Sequence, residues 1–305
     1  MDEKNIERDS ESIEENEEST STVVQLPLGV ELSAEETYEI SASEKTHFFV
    51  IIGSTGSGKT TLVTSIYHLF LSGKYKTKYL FAGSKTLAAF EKRAFYLRTT
   101  SQNNQVLMRR TPVGTADILH IRIKVNETDQ FTNLLFSDFS GEDFGNISGN
   151  VDAAKEDFGI INSANHLIIL LDGEKIASKK QRLAEVQQMI QVLRTFWDGN
   201  LIRESSNIII AVSKYDLLID MTGSLKDSFP ETIMRRIVEQ LPELEDRLVF
   251  QFVASMPTDT KILNAGYGTS ELLDILLNPP KHQIIASQVT HSFESQFNLW
   301  KGRMV

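Results

Sequence analysis

Apolar and polar residues along this chain follow two kinds of pattern, which predict strands and helices in turn. Short apolar runs, some alternating with polar residues, indicate buried or half-buried strands, whereas apolar residues three or four positions apart indicate amphipathic helices. Strands are predicted at about 48–52, 117–125, 131–136, 166–171, 207–212 and 248–253. Helices are predicted at about 59–73, 85–98, 151–162, 179–197, 232–241 and 270–277.

This order of elements predicts an α/β domain with a doubly wound, mostly parallel sheet. The two strands within residues 117–136 are joined by the turn cluster 126–129, so we expect a hairpin that adds one antiparallel edge strand. In sheets of this kind, ligands bind at the carboxyl ends of the strands. The residues that directly follow each strand are therefore the first candidates for a functional site.

The N-terminal part of the chain differs from the rest in charge. Residues 1–22 hold nine acidic and two basic side chains, a net charge of −7 out of −10 for the whole chain, which leaves −3 for the remainder. They contain almost no apolar residues to bury, so we expect a disordered acidic tail. In residues 23–45 the apolar pattern is interrupted at Pro27, and Tyr38 and Ile40 then alternate with other residues. This pattern predicts a small hairpin.

The main domain is expected over residues 46–280, with an insertion at about 74–108, and residues 281–305 are expected to form a tail or a last helix. The 305 residues include no cysteine, which excludes a disulfide framework and agrees with a reducing compartment. No apolar run approaches the length of a membrane span, and the near-balanced charge gives no sign of nucleic-acid affinity. We therefore expect a soluble, cytoplasmic protein.

The strongest motif follows the first predicted strand and opens the first predicted helix. Residues 53–60 read Gly-Ser-Thr-Gly-Ser-Gly-Lys-Thr, the pattern of a phosphate-binding loop. Such a strand–loop–helix unit directs backbone N–H groups and a positive helix end at one point, which binds anions. Lys59 is expected to reach the β- and γ-phosphates and Thr60 to ligate Mg²⁺. The residues expected to contact the nucleotide here are Gly53, Ser54, Thr55, Gly56, Ser57, Gly58, Lys59, Thr60 and Thr61.

A second motif follows the strand at 131–136. Asp138 and Gly141 form an Asp-x-x-Gly pattern, which alone is usually a turn but here stands at the end of a strand downstream of a phosphate loop. A carboxylate at this position can hold Mg²⁺ through water, and the Gly141 N–H can bond the γ-phosphate. Such a contact would let the loop sense whether that phosphate is present.

A third motif follows the strand at 207–212, where Ser213, Lys214 and Asp216 form a Ser-Lys-x-Asp pattern. A carboxylate in a base pocket accepts two hydrogen bonds from guanine N1–H and N2–H, a pair of donors that adenine lacks. After the next strand, Ala254 and Ser255 are candidates to offer a backbone N–H to guanine O6. The alternative is a Lys-Asp turn on the surface.

These motifs, in this order on successive strands, resemble the signature of the Ras-like P-loop GTPases over about residues 46–280. Residues 81–87 and 109–112 also resemble the bacterial double-GTPase group linked to conflict and defence systems. The resemblance implies the nucleotide fold of these proteins, GTP or GDP with Mg²⁺ as ligands, and a protein effector or activating partner. Because the chain holds one phosphate loop, a second GTPase unit would lie on another chain.

The resemblance also suggests residues of the first switch segment. Thr111 would be the threonine that closes on Mg²⁺, with Thr99, Thr100 and Thr115 as competing candidates. Arg109 and Arg110 precede Thr111 after an insertion, as an arginine supplied in cis does in heterotrimeric G-protein α subunits. The alternative is a solvated basic pair, which is common for exposed charges.

Three positions depart from the family pattern. Ser213 stands where asparagine is usual, and Thr55 stands where many Ras-like proteins have glycine. Glu142 replaces the glutamine that orients the attacking water, and its carboxylate would repel the γ-phosphate unless protonated or turned away. We therefore expect a GTP-binding switch that hydrolyses GTP slowly or with a partner's help. A pseudo-GTPase scaffold and a P-loop ATPase or nucleotide kinase remain open alternatives.

Overall fold

The computed structural model describes residues 28–73, 78–100, 117–141, 144, 147–219 and 223–278. In this part of the chain the strands form one sheet with the order β2-β3-β4-β1-β5-β6-β7. The strands are β1 (Thr46–Gly53), β2 (Tyr79–Gly83), β3 (Asp117–Val125), β4 (Phe131–Asp138), β5 (His166–Leu171), β6 (Asn207–Val212) and β7 (Leu248–Phe252).

Helices connect these strands and cover the sheet. They are α1 (Ala34–Ser43), α2 (Lys59–Leu71), α3 (Leu87–Thr100), α4 (Val151–Phe158), α5 (Gly173–Ala177), α6 (Arg182–Asp198), α7 (Gly223–Gln240) and α8 (Thr269–Leu277). Short 3₁₀ turns follow α4 at Gly159–Ser163, follow β6 at Tyr215–Leu218 and precede β7 at Pro242–Arg247.

The predicted fold class, a mostly parallel doubly wound α/β sheet, is confirmed. Strands β4, β1, β5, β6 and β7 pair in parallel, and β3 runs antiparallel to both of its neighbours, β4 and β2. The expected antiparallel strand is β3, and the short strand β2 pairs beyond it and forms the outer edge of the sheet. Because the five parallel strands run in one direction, their carboxyl ends lie side by side. They form the edge across the strand ends that is called the carboxyl edge below.

Two hydrophobic cores hold the sheet between helices. Alternate residues of β1 enter opposite cores: Phe48, Val50 and Ile52 lie on one face, and Phe49 and Ile51 on the other. The first core includes side chains of α4, α6 and α7, and the second includes side chains of α2, α3 and α8. Strands buried on both faces read as continuous apolar runs, which is why the sequence pattern reveals them.

The hairpin predicted within residues 23–45 is wrong in its described part, which contains helix α1. The Ser33 side chain accepts a hydrogen bond from the Glu36 N–H, and the Glu36 carboxylate accepts one from the Ser33 N–H. This capping box starts the helix and outweighs the short alternation at Tyr38 and Ile40. Before it, the Leu32 N–H donates to the Ile118 carbonyl at 2.9 Å and attaches the segment to β3.

The segment predicted as an insertion, 74–108, contributes to the sheet. Its described part contains β2, which pairs antiparallel with β3, and α3, close to the helix predicted at 85–98. Leu80 and Phe81 of β2 are exposed, as is common on an edge strand, and the apolar run at residues 79–82 is short, so no strand was predicted there. The expected tails at 1–22 and 281–305 lie outside the described residues. Within the described ranges, the helices are too short or too polar to span a bilayer.

Two histidines pack at the amino ends of β1 and β5, away from the loops that follow these strands. The rings of His47 and His166 stack with centroids 5.9 Å apart, and Phe49 stacks on His166 at 5.1 Å. Burial, with a smaller contribution from Lys45, lowers the pKa of His47 to about 4. Burial, with a smaller contribution from His47, lowers the pKa of His166 to about 3. Both rings are therefore neutral at physiological pH.

This histidine pair predicts a loss of stability in mild acid. Below an ordinary histidine pKa of 6.5, the unfolded chain takes up protons that the folded chain does not bind until about pH 4 or below. The free energy of unfolding should therefore fall by up to about 1.4 kcal/mol per pH unit for each proton between pH 6.5 and 5. Denaturant unfolding of wild type and His166→Leu checks this. The variant should show the shallower pH dependence, and parallel curves would contradict the assignment.

Candidate nucleotide site

The motifs found in the sequence meet at the carboxyl edge of the sheet. Strand β1 leads into the phosphate-binding loop, β4 ends at Asp138, and β6 is followed by Ser213. These strands run in the same direction, and the β-carbon of Ser213 lies 4.0 Å from where a β-carbon on Gly58 would stand. The loop after β6 therefore lies beside the phosphate loop.

The phosphate loop has the backbone form that an anion cradle requires. Gly58, with φ of 91°, immediately precedes helix α2, so the helix N-terminus and its N–H groups border the loop. Lys59 is only 7% exposed, and its Nζ donates to the Gly53 carbonyl at 2.9 Å and the Ser54 carbonyl at 3.4 Å. The ammonium group is thus held against the loop.

The other residues of the loop divide between its core and its surface. Ser54 and Ser57 are buried, whereas Thr55 and Gly56 are exposed. Within the described residues, the Ser57 hydroxyl is buried and makes no hydrogen bond. The carbonyl of Thr60, in the first turn of α2, accepts a hydrogen bond from the Thr64 hydroxyl, and Thr61 follows it, half-buried. A threonine in the first turn of α2 fits the expected magnesium ligand.

Gly141 of the Asp-x-x-Gly pattern lies directly against the phosphate loop. A β-carbon on Gly141 would be 2.5 Å from the Thr55 nitrogen and 2.9 Å from Lys59 Nζ. Such distances exclude any side chain, so only glycine allows this approach. Gly141 therefore reaches the part of the loop where the sequence pattern places the γ-phosphate.

Several predicted site residues lie partly or wholly outside the described residues. The backbone of Asp138 ends β4 and pairs with Ile51 of β1, which places this residue next to the phosphate loop. Its side chain is not among those described. Glu142, Arg109, Arg110 and Thr111 lie outside the described residues, so their expected roles stay predictions.

The loop after β6 is fixed to the neighbouring strand. The Ser213 hydroxyl and N–H both donate to the Leu171 carbonyl, at 3.1 and 3.0 Å. A β-carbon on Gly173 would lie only 1.9 Å from the Ser213 carbonyl oxygen, so the two backbones are in direct contact. Ser213, at the position where asparagine is usual, therefore still anchors this loop through its hydroxyl.

Lys214 adopts a conformation that is uncommon for a residue with a side chain, with φ of 49°. Its Nζ lies 2.9 Å from Asp172 Oδ1 and 3.1 Å from Glu174 Oε2. Burial opposes the charged form, but the hydrogen bonds and charges of these two carboxylates raise the pKa of Lys214. The ion pairs hold the strained turn that presents Asp216.

The two carboxylate oxygens of Asp216 differ in their contacts with the described residues. Its Oδ2 accepts hydrogen bonds from the Thr258 N–H and hydroxyl, both at 2.9 Å. Within the described residues, its Oδ1 is buried and has no hydrogen-bond partner. An unsatisfied buried acceptor is costly, so this atom is suited to a donor supplied by a ligand.

The two residues expected to bond guanine O6 differ in this structure. The Ala254 N–H donates to the Tyr267 carbonyl at 2.9 Å and is therefore already used. Ser255, the next residue, is the better candidate for that contact. The roles of both residues stay predictions.

Residues 48–277 match the protein-family model described as Double-GTPase 2. This range covers most of the chain and includes all three motifs. The chain belongs to the Double-GTPase 2 family. The resemblance to P-loop GTPases and to the double-GTPase group is thereby confirmed.

Solved structures similar to this Double-GTPase 2 chain include two nucleotide-bound proteins. The Methanosarcina barkeri Roco2 RocCORdC structure, bound to GDP, shares 12% identity with a TM-score of 0.37, and the match covers 77% of this chain and 50% of that one. Elongation factor SelB of Methanococcus maripaludis, in complex with the GTP analogue GppNHp, shares 16% identity with a TM-score of 0.39. That match covers 78% of this chain and 35% of SelB. The comparison with curated proteins gives no match.

Four polar residues around this site were not predicted from the sequence of this Double-GTPase 2 chain. Asp172, Lys175 and Glu185 contact the loops described above, and Thr258 supports Asp216. Asp172 directly follows β5, so its place at a strand's carboxyl end was a usable signal. Thr258 and Glu185 carry no local signal, because their contacts span 42 and 131 residues.

The contact of Gly141 predicts the effect of adding one methyl group. Gly141→Ala should push the segment after β4 away from Thr55, because the added methyl group would clash with the Thr55 backbone nitrogen. Overpacking of this kind costs roughly 1–3 kcal/mol, so the amides of residues 53–58 should exchange at least about fivefold faster. Hydrogen exchange measures this.

Gly159→Ala is the matched control, since Gly159 has φ of −53° and no neighbour within 4 Å of an added β-carbon. It should leave exchange of residues 53–58 unchanged. Equal exchange in wild type and Gly141→Ala would show that Gly141 does not support the loop.

Proposed function

We propose that this chain binds GTP or GDP together with Mg²⁺ and acts as a GTP-hydrolysing switch. The observation that carries this proposal is the buried Oδ1 of Asp216, which no described residue pairs with, on a loop that lies beside the phosphate loop. Guanine N1–H and N2–H are the donors that such a carboxylate can bind together. Membership of the Double-GTPase 2 family supports the same nucleotide.

The phosphate end of the site supports a triphosphate with a metal ion. Lys59 supplies a point charge held at the Gly53 carbonyl, and the N–H groups at the start of α2 border the same loop. Thr60 and Asp138 would hold Mg²⁺, with Thr111 joining them in the triphosphate state. When bound, the ion would neutralise charge on the β- and γ-phosphates.

Hydrolysis requires groups that stabilise the charge developing on the γ-phosphate as water attacks it. Lys59 and the N–H groups of the loop would take this role, and the Gly141 N–H would join them, since Gly141 lies against Thr55 and Lys59. Glu142 does not match the usual water-orienting glutamine. Arg109 or Arg110 would compensate as an arginine finger from within the chain. We therefore propose that GTP turnover is slow, or that a protein effector or activator in the cytoplasm stimulates it.

A second candidate is a nucleotide-binding scaffold without turnover. It is favoured by Thr55, which adds an exposed side chain at the part of the loop that Gly141 touches. The acidic Glu142 also favours a scaffold without turnover. Multiple-turnover release of phosphate from GTP separates the two functions, because a scaffold binds GTP but releases no phosphate.

Removing the Lys59 ammonium group tests the phosphate assignment. Lys59→Ala should reduce affinity for GTP by at least about a hundredfold and abolish turnover, because a charge-assisted contact to phosphate is lost. Calorimetric titration and phosphate release measure both. Lys155→Ala, an exposed lysine on α4, is the control and should resemble wild type. A folded Lys59→Ala variant with wild-type affinity would refute the phosphate assignment.

Changing the Asp216 carboxylate tests the base assignment. Asp216→Asn replaces one acceptor with a donor, which conflicts with guanine N–H groups but suits the carbonyl that xanthine carries instead. The variant should lose GTP affinity by about ten- to a hundredfold and gain affinity for XTP. Competition binding with GTP, XTP and ATP measures this.

Asp259→Asn, an exposed aspartate on the loop after β7, is the matched control and should keep the wild-type preference. Wild-type protein that binds ATP as readily as GTP would remove the guanine assignment and favour a P-loop ATPase.

A further inference from the structure

A buried carboxylate lies behind the phosphate loop, on the first turn of α6. Glu185 is only 4% exposed, although it lies near a site that would hold several phosphates. Its Oε1 accepts hydrogen bonds from the Ser54 hydroxyl at 2.8 Å and the Asp172 N–H at 3.1 Å. It therefore attaches the phosphate loop and the end of β5 to the same helix.

Lys175 of α5 completes this cluster. Its Nζ lies 3.0 Å from Glu185 Oε2 and donates to the Ser54 hydroxyl at 2.9 Å. Ser54 therefore donates to the carboxylate and accepts from the ammonium group. A buried carboxylate is tolerated only when it is paired and hydrogen-bonded, and both conditions are met here.

The same short segment also contacts the base-binding loop. Asp172 and Glu174 pair with Lys214, and Gly173 lies against Ser213. Residues 172–175 thus touch the loop expected to bind guanine with three residues and the phosphate loop with the fourth. This connection fixes the distance between the two halves of the site.

We propose that Lys175 and Glu185 are positioning residues for the phosphate groups. Glu185 fixes Ser54 and so the course of the phosphate loop. Lys175 balances the charge of Glu185, so that bound phosphates do not meet an uncompensated negative charge one hydrogen bond behind the loop. This inference rests on the proposed binding of guanine nucleotides.

The charge balance distinguishes this role from ordinary structural support. Lys175→Met leaves the buried carboxylate unpaired, so it should weaken binding more strongly for each added phosphate. We expect a small loss for GMP, about tenfold for GDP and a larger loss for a non-hydrolysable GTP analogue. Adding Glu185→Gln to Lys175→Met removes both charges and should restore affinity to within about threefold of wild type.

Glu185→Gln alone tests the inference independently of the folding of Lys175→Met. It keeps an oxygen acceptor for Ser54 and leaves a positive charge behind the loop, so affinity for the GTP analogue should be equal to wild type or higher. Lys180→Met, an exposed lysine nearby, is the matched control for Lys175→Met and should bind all three nucleotides as wild type does. Calorimetry at low salt, with thermal unfolding of each variant, provides the measurements.

The outcomes separate this inference from the proposed function. If Lys175→Met loses equal affinity for GMP, GDP and the analogue, or if the double variant is not restored, the pair is merely structural. If Glu185→Gln binds more weakly than wild type, and this loss of affinity grows with each added phosphate, the charge argument is also overturned. If wild-type protein binds no guanine nucleotide, the proposed function and this inference fall together.

Discussion

The site depends on the parallel direction of the central strands β4, β1, β5 and β6. Helices bury both faces of these strands. The loops that follow their carboxyl ends are therefore accessible at a single edge of the sheet. Peptide groups and polar side chains that follow the strands therefore converge there. The phosphate loop after β1 and the Asp216 turn after β6 come within contact distance, although about 160 residues separate them.

Convergence alone does not set the spacing between the base and the phosphates. That spacing is carried by residues 172–175 after β5, the strand that lies between β1 and β6. Asp172 and Glu174 pair with Lys214 on one side, while Lys175 contacts Ser54 on the other. Glu185 then joins this segment to α6 and the core. Polar contacts of this kind are directional, so they define one geometry where apolar packing would allow several.

Much of this arrangement was predictable from sequence, and the exceptions have physical causes. The predicted strands 166–171 and 207–212 coincide with β5 and β6, whose buried residues form apolar runs, and 117–125 coincides with β3, whose apolar residues alternate with polar ones. Helix α1 was missed because it buries only Ile40, and its start depends on the capping pair of Ser33 and Glu36. The phosphate loop and the Asp-x-x-Gly and Ser-Lys-x-Asp patterns were recognisable because each follows a strand directly. Glu185 and Thr258 were not, since tertiary folding alone brings them to their partners.

The central claim is that these loops form one pocket for a guanine nucleotide with its phosphates and Mg²⁺. Titration of the purified chain with GDP, GTP, ADP and ATP, with and without Mg²⁺, tests it most directly. The account predicts clearly tighter binding of GDP and GTP than of ADP and ATP, with Mg²⁺ strengthening the binding of GTP. Equal binding of guanine and adenine nucleotides would contradict the base pocket, and absence of any binding would contradict the site as a whole.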